Sequence, residues 1–105
     1  MAQETAFEVA LDDGIVVRIR FVRERSHVVS FAVQLEYFIS EKWYPVIRYD
    51  TAHKLAHRDV LHPDGTQDKR PMPVNDFNEA LTYAQKDIRA NFRRYCARFK
   101  EWLNE

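Results

Sequence analysis

Apolar and polar residues alternate along the first half of the chain and recur at helical spacing along its last quarter. From Phe7 to Leu11 the alternation runs into Asp12-Asp13-Gly14, an acidic turn ending in glycine, which predicts a strand entering a hairpin. A second strand over residues 15–23 turns Ile15, Val17, Ile19 and Phe21 to one side and Val16, Arg18, Arg20 and Val22 to the other. The third, over 28–39, sends Val29, Phe31, Val33, Leu35, Tyr37 and Ile39 inward and leaves Ser30, Ala32, Gln34 and Glu36 on the opposite face. After the polar turn Ser40-Glu41-Lys42, a fourth strand over 43–50 has Trp43, Ile47 and Tyr49 on the apolar side and Tyr44, Val46 and Arg48 opposite. Pro45 has no N–H to give to a ladder, so the strand is expected to lie at an edge there.

A one-residue slip would turn every apolar side chain outward, so only registers that match the faces are allowed. With short hairpin loops this sets Ile19 near Val33 near Ile47. On the reverse face it sets Arg18 near Gln34 near Arg48, with Arg20, Ala32 and Asp50 as the next row. That face is polar, with small residues between basic ones, and is a candidate docking surface. The plainer reading is a solvated face whose arginines pair with Glu36 and Asp50 across strands, each pair contributing at most ~1 kcal/mol.

Residues 51–57 fit one helical turn capped by Asp50 or Thr51, and 58–61 a short strand. Pro63-Asp64-Gly65 is a turn, proline fixing φ and glycine permitting a positive one, and 66–73 is a polar loop bounded by prolines. A helix over about 76–103 follows. Asn75 or Asp76 supplies the N-cap, and Phe77, Leu81, Ala84, Ile88, Phe92, Tyr95, Phe99 and Trp102 form the apolar seam. Such a helix is ~42 Å long at ~1.5 Å per residue, so either the strands are long or the helix end projects. A projecting end with Phe99, Trp102 and Leu103 would suit a homodimer or a protein partner. Arg89 and Arg93, and Arg94 and Arg98, lie one turn apart as basic stripes beside the seam.

The predicted architecture is one α+β domain over 1–105, an antiparallel meander of four or five strands with one face packed by a long C-terminal helix. Its 105 residues suit a single core, and 46% hydrophobic with 13% aromatic residues exceeds what a disordered chain carries. The formal net charge is zero, so no whole-molecule basic field draws in nucleic acid. No apolar run is long enough to span a bilayer, and the N-terminus lacks a signal-peptide pattern; a cytoplasmic protein without membrane contact is expected. The single cysteine, Cys96, excludes an internal disulfide framework.

Chemistry concentrates in residues 48–65, where His53, His57 and His62 stand among Arg48, Asp50, Arg58, Asp59 and Asp64. Histidines that titrate near neutrality serve as acid and base, and arginine holds phosphate bidentately; a metal-independent ribonuclease needs those parts. The expected catalytic set is His53, His57 and His62 with Asp50 orienting an imidazole. Arg18, Arg20, Arg48 and Arg58 are expected to bind phosphate or nucleic acid, and no cofactor is called for.

A metal reading competes if 51–57 is helical, because His53 and His57 then share a face and His62 or Asp59 completes three ligands. It is set aside because the glutamate of HExxH is missing and Lys54 and Arg58 add positive charge. His57-Arg58-Asp59 matches the kinase HRD triplet in a chain far too short for that fold, and there is no P-loop, GxGxxG or Gly-x-Ser-x-Gly.

Arg48-Tyr49-Asp50-Thr51-Ala52-His53, His57-Arg58-Asp59 and Leu61-His62-Pro63-Asp64-Gly65 resemble a stretch found in small prokaryotic proteins. More distantly, a strand ending in Arg-Tyr-Asp, a His-rich segment and a C-terminal helix are similar to the TumE-type toxins of bacterial toxin–antitoxin pairs. Those carry an Asn-Ala-Pro-His stretch and paired histidines, whereas this chain has Thr51-Ala52-His53 and isolated His57 and His62. The resemblance implies ribonuclease-like toxicity, RNA as substrate and a cognate antitoxin, with Arg48, Asp50, His53 and His62 as the matching positions. The alternative function is a non-enzymatic module binding protein or nucleic acid, dimeric or not, through the helix end or the face of Arg18, Arg20 and Arg48.

Overall fold

A computed structural model describes every residue except 53 and 75. Six antiparallel strands run in sequence order, β1 (Ala2–Asp12), β2 (Ile15–Glu24), β3 (His27–Ile39), β4 (Lys42–Ala52), β5 (Leu55–Leu61) and β6 (Gln67–Pro71), and the helix α1 (Phe77–Leu103) packs on one face of the sheet. The α+β meander is therefore as predicted, with six strands in place of four or five. The short strand expected over 58–61 is the second half of β5, and the extra pairing comes from the segments read as a helical turn and a loop. Residues up to Ala52 extend β4, Leu55 begins β5, and β6 pairs with it although all five of its residues are exposed. An edge strand held by backbone hydrogen bonds needs no apolar alternation, which is the signal its sequence lacks.

Register follows the face-matching argument on the polar side and departs from it on the apolar side. Arg18 pairs with Gln34 and Gln34 with Arg48, and Arg20 with Ala32 and Ala32 with Asp50. Ile19 pairs with Val33, but Val33 then faces Tyr49, and Ile47 faces Leu35. Beyond that pair the ladder shifts between Leu35 and Glu36, so that Glu36 meets Pro45 and Val46 is extra. This bulge lets consecutive Val46 and Ile47 both enter the core, 2% and 0% exposed, while Trp43 is left 47% exposed. Pro45 lies past the last β4–β5 pair, Ile47 with Val60, so no partner asks for its missing N–H on that side.

The core is the seam of α1 laid on β2 to β4. Ala80 and Ala84 are fully buried and bring the helix close, and Ile88, Phe92, Tyr95 and Phe99 meet Val33, Leu35, Ile47 and Tyr49. Burying a side chain such as Phe99 contributes ~2–3 kcal/mol. Asp76 caps α1 by accepting from the Asn78 N–H at 2.6 Å; the other cap candidate, Asn75, lies outside the described residues. Asn78 then ties the helix start to the β2–β3 turn, accepting from Val28 N–H at 2.7 Å and donating to the Ser26 carbonyl at 3.1 Å. At the other end Phe99 packs on Tyr44 with ring centroids 5.4 Å apart, and Trp102 stacks on His62, so both aromatics have partners within the chain. Gly14, at φ +70°, closes the first hairpin; its carbonyl accepts from Phe38 N–H at 2.7 Å, and a Cβ there would press on the Phe38 carbonyl at 3.2 Å.

Candidate functional site

The face turned away from α1 carries two polar rows that cross all six strands. One reads Ala6, Arg20, Ala32, Asp50, His57, Pro71; the next reads Glu8, Arg18, Gln34, Arg48, Asp59, Lys69. Ala6 and Ala32, being small, leave a depression of about 470 Å³ bordered by Glu8, Arg18, Arg20 and Gln34. Asp50 stands on the far side of Ala32 from Arg20, with His57 directly opposite it on β5.

Hydrogen bonds order the second row. Arg18 Nε donates to Glu36 Oε1 at 2.9 Å, Gln34 Nε2 to Glu36 Oε2 at 2.7 Å, and Arg48 Nε to Gln34 Oε1 at 2.7 Å. Outer ion pairs are longer and exposed: Arg18 with Glu8 and Arg20 with Glu4, each at 3.6 Å. The expected pairing of arginine with Glu36 is present, through Arg18. Around β4 and β5 the side chains of this face are more deeply buried. Asp59 is 1% exposed, with Lys69 Nζ 3.6 Å from one of its oxygens. Asp50 Oδ1, His57 Nδ1 and Asp59 Oδ1 are buried and have no hydrogen-bond partner among the described residues. Groups of that kind are uncommon, because an unmet buried polar atom costs ~1–3 kcal/mol.

Strand alternation divides the other predicted residues. With β5 starting at Leu55, His57 and Asp59 fall on the open face and Arg58 and Val60 on the helix face. Arg58 is therefore on the opposite side from Arg18, Arg20 and Arg48. Its Nε donates to Tyr49 Oη at 3.0 Å, and its guanidinium lies over the Tyr95 ring, centroid 5.4 Å away. His62 follows the end of β5 on the helix side, its ring 4.3 Å from that of Trp102 and its Nε2 2.9 Å from Asp68 Oδ2. The structure thus brings together Asp50, His57, Arg48, Arg18 and Arg20 and separates from them Arg58 and His62; His53 lies outside the described residues.

The geometry behind the metal reading is not formed either, since 51–52 and 55–57 are strand and His57 and His62 face different ways. Among the described residues no group of three or more His, Cys, Asp or Glu side chains is placed to hold a metal ion.

A second cluster, on the helix side, was not signalled by any dense run of chemistry in the sequence. Asp87 accepts from Tyr49 Oη at 2.5 Å, from Tyr95 Oη at 2.8 Å and from Asn91 Nδ2 at 2.9 Å. Burial, reinforced by the Asp87 carboxylate, holds the Tyr49 phenol far above its ordinary value, and the same two causes raise Tyr95. Burial opposes the charge on Arg58, but the two tyrosines more than offset it and its pKa rises. Arg98 is lowered by burial and by the charge of Arg58. The only sequence trace of this cluster is the one-turn spacing of Asp87, Asn91 and Tyr95 beside the seam. Cys96 is buried and its thiol is pushed up to about 12 by burial, which keeps it an inert packing residue.

No helix among the described residues is long and apolar enough to cross a membrane. Against known proteins, residues 1–105 match one family, described as Domain of unknown function (DUF7718). No curated protein and no solved structure matches the chain.

Proposed function

The chain belongs to the DUF7718 family across its whole length, and we propose that it is an RNA-directed, metal-independent phosphodiesterase whose acid–base pair is Asp50 and His57. The supporting observation is their apposition across β4 and β5 beside the Ala32 depression, with Asp50 Oδ1 and His57 Nδ1 both lacking a partner among the described residues. A phosphate seated over Ala32 has Arg20 on one side, Asp50 on the other and Arg18 and Arg48 in the adjoining row. In the proposed reaction the Asp50 carboxylate takes the proton of a ribose 2′-hydroxyl, whose oxygen bonds to phosphorus. The bond from phosphorus to the 5′-oxygen breaks as the His57 imidazolium gives that oxygen its proton, leaving a cyclic phosphate. Arginine stabilises the charge gathering on the phosphoryl oxygens. The phosphate replaces exposed ion pairs such as Arg18 with Glu8, which are worth only ~0–1 kcal/mol. On this reading His62 and Arg58 are structural, and a toxin role with a cognate antitoxin follows if the partner covers the open face.

The second reading, a non-enzymatic module that binds a protein, is favoured by the pairing of the open-face cations. Arg18 and Arg20 have glutamate partners and Arg48 a glutamine, which lowers the field available to a polyanion. Incubation of the purified chain with RNA in EDTA separates the two. The enzyme reading expects cleavage that falls at least ~100-fold in Asp50→Asn and in His57→Gln and persists in His62→Ala. Cleavage unchanged in a folded His57→Gln, or no cleavage by the wild type, overturns it.

A further inference from the structure

The two edges of the sheet are built differently. β6 has five residues, ends in Pro71 and carries Lys69 and Arg70, features that blunt an edge against further pairing. β1 has eleven residues and no proline, and its outer row of backbone N–H and C=O groups has no neighbour among the described residues. Its helix-side residue Phe7 is 44% exposed, because α1 lies mainly over β3 and β4; farther along β1, Val9 and Leu11 pack against the core and Asp12 lies 3.6 Å from Arg93 of the helix. Beside Phe7 a groove of about 490 Å³ runs between Phe21, Val28 and Leu81. On the open face β1 alternates Glu4, Ala6, Glu8 and Ala10.

We propose that β1 pairs antiparallel with β1 of a second copy about a two-fold axis at Phe7, joining two six-stranded sheets into one. The charge pattern rules out the adjacent registers, and among those left the exposed Phe7 ring and the overlap of the whole strand choose this one. With Phe7 opposite Phe7 of the second copy, each Glu8 faces an Ala6 and each Glu4 faces an Ala10, so no two glutamates are opposed. Moving the axis one residue in either direction, to Ala6 or to Glu8, sets Glu4 against Glu8 or Glu8 against itself. The Phe7 axis also places the two exposed phenyl rings against one another on the helix side, where each chain has an open groove. Both polar faces then lie on the same side of the joined sheet, and the Ala32 depressions are brought towards one another across β1.

Sedimentation of the full chain over a concentration series tests the pairing. The wild type is expected to dimerise, and Phe7→Glu to be monomeric with its circular dichroism unchanged. Ala10 is exposed and sits opposite Val16 within its own chain, so its variants keep the fold. Ala10→Lys, meeting Glu4 of the second copy, is expected to tighten the dimer and Ala10→Glu to loosen it, each by about tenfold in Kd. A wild type that stays monomeric at its highest soluble concentration overturns the proposal. So does a dimer that survives Phe7→Glu, or one to which the two Ala10 variants do the same thing.

Discussion

Two polar clusters share strands β4 and β5 and differ in how completely the fold satisfies their carboxylates. On the helix side, Asp87 accepts from Tyr49, Tyr95 and Asn91, and Tyr49 accepts in turn from Arg58. On the open side, Asp50, His57 and Asp59 each keep a buried atom without a partner among the described residues; on the helix side Arg98 does so, but no carboxylate. A half-buried carboxylate with three donors is a structural knot that ties helix to sheet. Buried polar atoms left unmet beside the Ala32 depression are the arrangement that a ligand can complete.

Breaking the knot has the largest expected effect. Asp87→Ala strands the hydroxyls of Tyr49 and Tyr95 against the core and should cost about 3 kcal/mol in urea unfolding. A loss below about 1 kcal/mol would mean that the cluster is decorative and the contrast between the two faces is false.

Tyr49→Phe removes one of those bonds and should cost about 1–2 kcal/mol near neutral pH. It carries a pH signature as well. Because the folded Tyr49 phenol is raised above its ordinary 10.0, the unfolded chain loses that proton first, and the stability it contributes is present below pH 10 and lost above it. Wild-type stability should fall above that pH by up to about 1.4 kcal/mol per unit for each such group, and more gently in Tyr49→Phe. Equal slopes in the two proteins would remove Tyr49 from the account.

The smallest expected effect is on the open side. Asp50→Asn keeps the shape and gives up no hydrogen bond from Oδ1, so its unfolding free energy should stay within about 1 kcal/mol of wild type even where RNA cleavage is lost. A large destabilisation would make Asp50 a structural residue like Asp87.

The sheet's first four strands and the helix were legible because their apolar positions keep a period of two or of 3.6 against a single core. Arg18, Gln34 and Arg48, with Arg20, Ala32 and Asp50, could be aligned from the sequence because face matching leaves few registers. The bulge at Val46 could not, since two consecutive apolar residues do not say which of them is extra. Of β5 only 58–61 was legible as a strand, and β6 was not legible at all: one mixes His, Arg and Asp with Val and Leu, the other is polar up to its closing proline, and both owe their form to a neighbouring ladder.

The class of fold, the polar face and the segment where chemistry gathers all follow from the order of residues. Which members of that segment meet depends on the folded sheet. Along β5, neighbours one residue apart are sent to opposite faces of the sheet, so His57 joins Asp50 while Arg58 turns under the helix to Tyr49 and Tyr95. Proximity in sequence cannot carry that distinction, because it depends on where the strand begins. Its partner strand, and no local propensity, sets that beginning.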